Sequence, residues 1–341
     1  MKMKDWMELD IDNLDLEQVT ELEKQRVKQH VLKKRKKAPV WKSIAMAAVI
    51  LLSGTAITTF AFPSVASQIP FMNNVISYFD DDYGQYTNFE AFSDDLGLVD
   101  SDNGVSILID HAVYDGTNII VSYALEMEKN LGESISISGG NWFDVKGATS
   151  MGGSERIIQI DDTHYIGVAE FNPRFEDGER PETIEVTWEP KAFYNHKTGE
   201  EIKGDWSFSF SLSRLEGTVL ALNQTAESSD VNLTLNSIEF TDVSTVLSYK
   251  QFASDELMES WLSVTPIFTV KDDLGNVYME GTGGGGMTSD NFKTYTGTTS
   301  FGAVKKGATK LFIEPTAIAS LERGLGHKDI ALDVIVVEFP K

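Results

Sequence analysis

The chain has 341 residues, room for about two domains of roughly 150 residues each, and carries 29 Lys and Arg against 52 Asp and Glu, a formal net charge of -23. So acidic a balance argues against a nucleic-acid partner, whose phosphates would be repelled. The complete absence of cysteine excludes thiol catalysis, disulfide scaffolds, Cys-ligated zinc and iron–sulfur clusters.

Charge is unevenly distributed. Residues 1–43 hold 11 basic and 8 acidic side chains, residues 44–62 hold none, and residues 63–341 hold 18 basic and 44 acidic. In the first segment Asp10, Asp12 and Asp15 precede a helix predicted over 16–37. Leu16, Val19, Leu22, Val27 and Val31 line one narrow face of it. Its acidic residues come early and its basic residues late, as the helix dipole favours. Two readings stay open: a solvated anchor helix, or a docking helix whose Leu16, Val19, Leu22 and Val27 are covered by a cytoplasmic partner.

Residues 44–62 read IAMAAVILLSGTAITTFAF, without charge, Asn, Gln or Pro. As a helix rising about 1.5 Å per residue, the run approaches a hydrocarbon core of about 30 Å. A transmembrane helix embedded in membrane lipid is expected here. Lys33, Lys34, Arg35, Lys36 and Lys37 flank it on one side and Asp80, Asp81 and Asp82 on the other. By the positive-inside rule, residues 1–43 are a cytoplasmic segment and the C-terminal part is extracytoplasmic, in a single-pass protein of the cell membrane. Ser64, Val65 and Ala66 resemble a signal-peptidase site, but a 43-residue leader is far longer than a normal n-region, which favours an uncleaved anchor.

Residues 63–102 are expected to form a juxtamembrane linker with a short amphipathic helix of Ile69, Phe71, Met72, Val75, Ile76 and Phe79 near the outer membrane face, then no strand before Val105. A protease would reach such a linker. From Val105 the period changes to alternation. Strands are predicted over 105–111 and 118–126, joined by the turn Tyr114, Asp115, Gly116 and Thr117. Further strands are predicted at 134–138, 156–160, 165–171, 183–188 and 206–212. Another set follows at 217–221, 231–240, 243–251, 262–271, 275–280, 309–314 and 330–339. Helical turns are expected at 255–261 and 316–323, and Gly283–Gly286 reads as a flexible loop. The expected fold is mainly β: two exported Ig-like β-sandwich domains, 103–214 and 215–341, with one transmembrane helix and a short cytoplasmic helix.

Catalytic signatures are missing. His111, His164, His196 and His327 sit in no metalloprotease frame, and the serines offer no nucleophile elbow. Lys197, Thr198 and Gly199 match a triplet of penicillin-recognising enzymes, yet no serine has Lys three residues on. Asp100, Asp102 and Asn103 offer oxygen ligands without the glycine and distal glutamate of an EF-hand. The expectation is a protein that is not an enzyme, with no catalytic, cofactor-binding or metal residues.

The order of parts and the segment NGVSILIDHAVYDGTNIIVSYALE, residues 103–126, resemble a Gram-positive family of single-pass membrane proteins. Its exported part is a domain of unknown function, and its members are often encoded beside extracytoplasmic-function sigma factors. The resemblance implies an anti-sigma factor: exported domains sense an envelope ligand, while Leu16, Val19, Leu22 and Val27 cover the sigma factor. The His-x3-Cys-x2-Cys motif of zinc-type anti-sigma domains is absent. Removal of the exported part near residues 63–102, then cleavage within 44–62, would release the partner. The alternative is a surface-anchored cell-wall or adhesion module without a regulatory role.

Overall fold

Strand formation follows the alternation that begins near Val105, because side chains two apart share a face of a pleated strand. The computed structural model describes residues 72–79, 85–138, 143–278, 283–287, 293–321 and 326–339, all within one compact unit. The predicted cytoplasmic helix with Leu16, Val19, Leu22 and Val27, the apolar run 44–62 and Asp80–Asp82 lie outside the described residues. Among the described residues no helix is long and apolar enough to cross a membrane.

A lead-in segment comes first, with a 3-10 helix, Met72–Tyr78, and a short helix α1, Phe89–Phe92. The first β-domain follows as β1 (Asp94–Asp102), β2 (Val105–Tyr114), β3 (Ile119–Met127), β4 (Ile135–Ser138), β5 (Asp144–Val145), β6 (Ser150–Gln159), β7 (His164–Arg174), β8 (Thr183–Trp188), β9 (Ala192–Asn195), β10 (Glu201–Lys203) and β11 (Phe208–Ser213). Five strands form one antiparallel sheet in the order β1-β2-β3-β7-β6. Two three-stranded sheets, β10-β9-β4 and β11-β8-β5, share its core. There Phe143 stacks between Phe171 and Trp188, with ring centroids 4.7 and 4.8 Å away. The buried Trp206 indole donates to the Val105 carbonyl at 3.0 Å, so its one polar atom is satisfied.

The second β-domain comprises β12 (Thr218–Glu227), β13 (Val231–Phe240), β14 (Ser244–Ala253), β15 (Ser263–Asp272), β16 (Val277–Tyr278), β17 (Gly283–Met287), β18 (Thr294–Gly302), β19 (Lys310–Ser320), β20 (His327–Ala331) and β21 (Ile335–Glu338). Its first sheet runs β12-β13-β14-β18-β17, and its second runs β16-β15-β19-β20 with β21 also on β19. One helical turn, α2 (Asp255–Ser260), begins where the Ser254 hydroxyl accepts from Leu257 N–H at 3.2 Å, a normal N-cap.

Several sheets in a mainly β chain agree with the coarse expectation. Three local readings are corrected. A strand does precede Val105: β1 pairs with β2 from Asp94 to Asp102 with a bulge between Asp95 and Leu98, its leucines turned toward the core and its aspartates exposed or half-buried. The glycine run is not a loop but the edge strand β17, paired with β18 from Gly283 to Met287. Residues 316–320 continue β19 instead of turning helical, because the burial of Ala317 and Ala319 alternates as a strand requires.

A junction of lead-in and two β-domains as the candidate functional site

Most strands of a solvated antiparallel sheet alternate apolar and polar. β3 and β7 do not, and both of their faces are buried. One face looks into the domain core. Onto the other face the lead-in packs Val75, Ile76, Phe79, Tyr86 and Phe89, against Leu108, Val113, Ala124, Ile166 and Val168. Residues 72–79 and 85–93 are therefore part of a hydrophobic core, not a free linker, and 94–102 belong to the sheet. A protease needs these segments undocked before it can cut within them.

A polar network sits among these apolar contacts. The Tyr86 hydroxyl donates to Glu170 Oε1, Gln85 Nε2 donates to the same oxygen at 2.8 Å, and Arg156 Nη2 donates to the Tyr86 oxygen at 2.8 Å. The Arg156 guanidinium also lies over the Phe79 and Tyr86 rings, 5.4 and 5.7 Å from their centroids, a cation–π arrangement. Burial, reinforced by the Glu170 charge, pushes the Tyr86 hydroxyl well above its usual range. Burial likewise raises Glu170, against the opposing pull of the Tyr86 hydrogen bond and the Arg156 charge. These groups satisfy one another only while the lead-in is docked.

The lead-in also reaches the second β-domain. Asn88 Nδ2 donates to the Asp242 carbonyl at 2.7 Å, Lys305 Nζ donates to Thr87 Oγ1 at 2.8 Å, and Val243 joins the same apolar cluster. Beside it the turn between β2 and β3 joins the two domains. Asp115 Oδ1 accepts from the N–H groups of Thr117 and Asn118 at 2.7 and 2.6 Å, while Ser244 Oγ donates to Asp115 Oδ2 at 2.5 Å. Gly116 has φ +94°, and a Cβ there would come within 2.8 Å of Arg214. Arg180 and the buried Glu239 form an ion pair across the same boundary. Lead-in, first domain and second domain thus share one contact region.

Other residues singled out from the sequence have structural roles. Asp100 and Asp102 accept from the backbone N–H groups of Ser207 and Asp205 at 2.9 and 2.8 Å, and Asn103 Nδ2 donates to the Lys203 carbonyl at 2.7 Å. Lys197 and Thr198 lie in a turn whose N–H groups donate to Asn195 Oδ1. His164 caps against Asp161; desolvation raises that carboxyl, but hydrogen bonds from Thr163 and His164 outweigh it and bring it down to about 2. Among the described residues no group of three or more His, Asp or Glu is placed to hold a metal. The sequence did not single out Tyr86, Arg156 or Glu170. The apolar stretch 165–169 of β7, without alternation, carried the signal that something covers its outer face.

Residues 34–127 match the domain of unknown function DUF4179, and residues 217–339 match DUF5643, a family of unknown function. The crystal structure of a conserved domain protein from Bacillus anthracis is similar at TM-score 0.68 and 23% identity, over 78% of this chain and 98% of that one. That likeness concerns the fold alone. A bovine butyrophilin structure aligns over 67% of this chain and 94% of that one, but at 9% identity and TM-score 0.18 it carries no argument. No curated protein matches the chain significantly.

Proposed function

We propose that the protein is a single-pass membrane signal transducer, an anti-sigma factor whose two β-domains are Ig-like sandwiches outside the cell. The observation that carries the transducing role is the lead-in core. Residues 72–79 and 85–93 lie in the chain between the apolar run 44–62 and the sheet, and they are held by Phe79, Tyr86 and Phe89 together with contacts to the second domain. A rearrangement of either domain therefore changes the docking free energy of the one segment that leads back toward the membrane. The basic segment 33–37 and the acidic exported part support the orientation. In this reading Leu16, Val19, Leu22 and Val27 hold an extracytoplasmic-function sigma factor. Undocking of the lead-in, followed by proteolysis, frees it.

Two measurements test this. Alkaline phosphatase fused after Lys341 should be active and fused after Lys42 inactive; the reverse pattern removes the exported reading. Deleting the gene, or introducing Leu16→Glu with Leu22→Glu, should switch on a sigma-dependent reporter in the same cell. If no extracytoplasmic-function regulon responds to either change, the anti-sigma role fails and the surface-module alternative takes its place.

A further inference from the structure

A cleft of about 450 Å³ separates the first domain's β7 end from the second domain's β14, β17 and β18, a volume within the range of small-molecule sites. Three of the five arginines beyond residue 62 gather at this boundary: Arg174, Arg180 and Arg214. Arg180 is occupied by Glu239. Arg174 differs, because among the described residues its guanidinium makes no hydrogen bond and no ion pair, and the lining around it holds a single carboxylate, Glu179. It lies flat on β17, where a Cβ on Gly284 would stand 2.4 Å from its Nη2. The bare glycine strand is what lets the fork reach this place. A second unspent group shares the wall: Thr117 is only 7% exposed, and its hydroxyl has no hydrogen-bond partner.

We propose that this cleft binds a sugar bearing a carboxylate. Arg174 supplies a planar fork suited to a carboxylate. The opposite wall presents neutral hydrogen-bonding groups for hydroxyls: Ser248 of β14, Thr298 of β18, and Asn236, the extra residue of the bulge between Leu235 and Ser237. Phe175 offers an apolar plate for the C–H face of a sugar ring. A monoanion is favoured over a phosphate ester, which brings about -1.5 to -2 charges to a rim that also holds Glu179. This deepens the signalling reading, on which its physiological meaning rests, by giving that reading a stimulus of known chemistry.

The test is isothermal titration calorimetry on the full chain in detergent, with glucuronic acid, glucose and glucose 6-phosphate as probes. Glucuronic acid should bind, with glucose and glucose 6-phosphate each weaker by about tenfold or more, a difference near 1.4 kcal/mol. Arg174→Gln should lose about as much as removing the carboxylate does, and Arg174→Lys should fall between, since it keeps charge but not the fork. Asn236→Ala, at an exposed bulge, guards against a folding artefact and should weaken binding several-fold with an unchanged melting temperature. No heat with glucuronic acid, equal binding of glucose, or full affinity in both Arg174→Gln and Asn236→Ala overturns the proposal. Preference for glucose 6-phosphate overturns the carboxylate assignment. None of these outcomes touches the fusion and reporter experiments above, so failure of the site and failure of the signalling role are distinguishable.

Discussion

The two β-domains are built to one plan and finished differently. The orders β1-β2-β3-β7-β6 and β12-β13-β14-β18-β17 are the same topology, shifted by eleven strands. Matching details recur within it. The turn after β2 is closed by Asp115 accepting from Thr117 and Asn118 N–H groups, and the turn after β13 by Thr241 Oγ1 accepting from Val243 and Ser244. Tyr123 of β3 faces Gly167 of β7, and Tyr249 of β14 faces Gly297 of β18. The outer faces part company. In the first domain that face is apolar and covered by the lead-in, whereas in the second it presents Asn232, Lys250 and the open Val219 to solvent. A β-domain needs only one buried face to fold. The second buried face in the first domain is thus an added interaction, and it marks which domain is mechanically joined to the chain before it.

The sharpest way to break the comparison is to strip the cover. Phe89→Ala removes a fully buried ring and should cost about 3–5 kcal/mol in denaturant unfolding. Val219→Ala on the open face should stay within about 0.5 kcal/mol. The Phe89 variant should also gain protease cuts within 72–102; equal stability and equal cutting in both variants would mean the cover contributes nothing.

Next come the tyrosine–glycine pairs. A Cβ on Gly167 would stand 2.0 Å from the Tyr123 ring, while at Gly297 the nearest atoms, the Gly284 carbonyl oxygen and the Tyr249 hydroxyl, are 2.9 Å away. Gly167→Ala should therefore destabilise by about 1–3 kcal/mol, and more than Gly297→Ala. The opposite ranking by thermal unfolding would mean the second domain is the less yielding copy.

The turns come third. Asp115→Ala leaves two buried N–H groups and Ser244 without their acceptor and should cost about 1–3 kcal/mol. Thr241→Ala should cost closer to about 1 kcal/mol. Comparable losses in a urea titration would show that burial of the first turn adds nothing.

The last contrast is pH-dependent and confined to the first copy. Tyr123 donates to Glu155 Oε1 at 2.5 Å, and burial pushes the Glu155 carboxyl up to about 7. In the second copy a ring, Tyr295, stacks on Tyr249 in place of a carboxylate. A raised acid binds more protons folded than unfolded between its unfolded value near 4.5 and about 7, so stability falls as pH rises through that window. Glu155→Gln should flatten this part of the stability profile. An unchanged profile would assign the dependence elsewhere.

Legibility in the sequence followed periodicity. β8 and β13 have the bounds that alternation predicts, 183–188 and 231–240, since one face of each is apolar and the other polar. β18 was missed because TYTGTTSFG spends its strand propensity on threonines broken by glycine, which reads as loop until a partner strand is known. β1 was missed because its aspartates suggest a solvated loop, and only pairing with β2 makes an edge strand of them. The candidate junction was half legible. Val75, Ile76 and Phe79 announce an amphipathic segment, which the sequence places in a juxtamembrane linker, whereas in the fold it packs on the outer face of β2, β3 and β7. The turn from Tyr114 to Thr117 was recognised as a turn. That it also holds Ser244, 129 residues away, is tertiary information.

The docking of the lead-in also fixes how the molecule responds to force. A pull applied at Met72 meets the 3-10 helix and then α1 before it reaches the hydrogen-bonded ladder of β1 on β2. Those anchors lie one after another along the chain on a single sheet face, so tension loads them in turn. The segment then peels anchor by anchor before the load passes to the paired strands behind it. A pull from the N-terminal side would thus lengthen the lead-in before it loads the sheets of either β-domain.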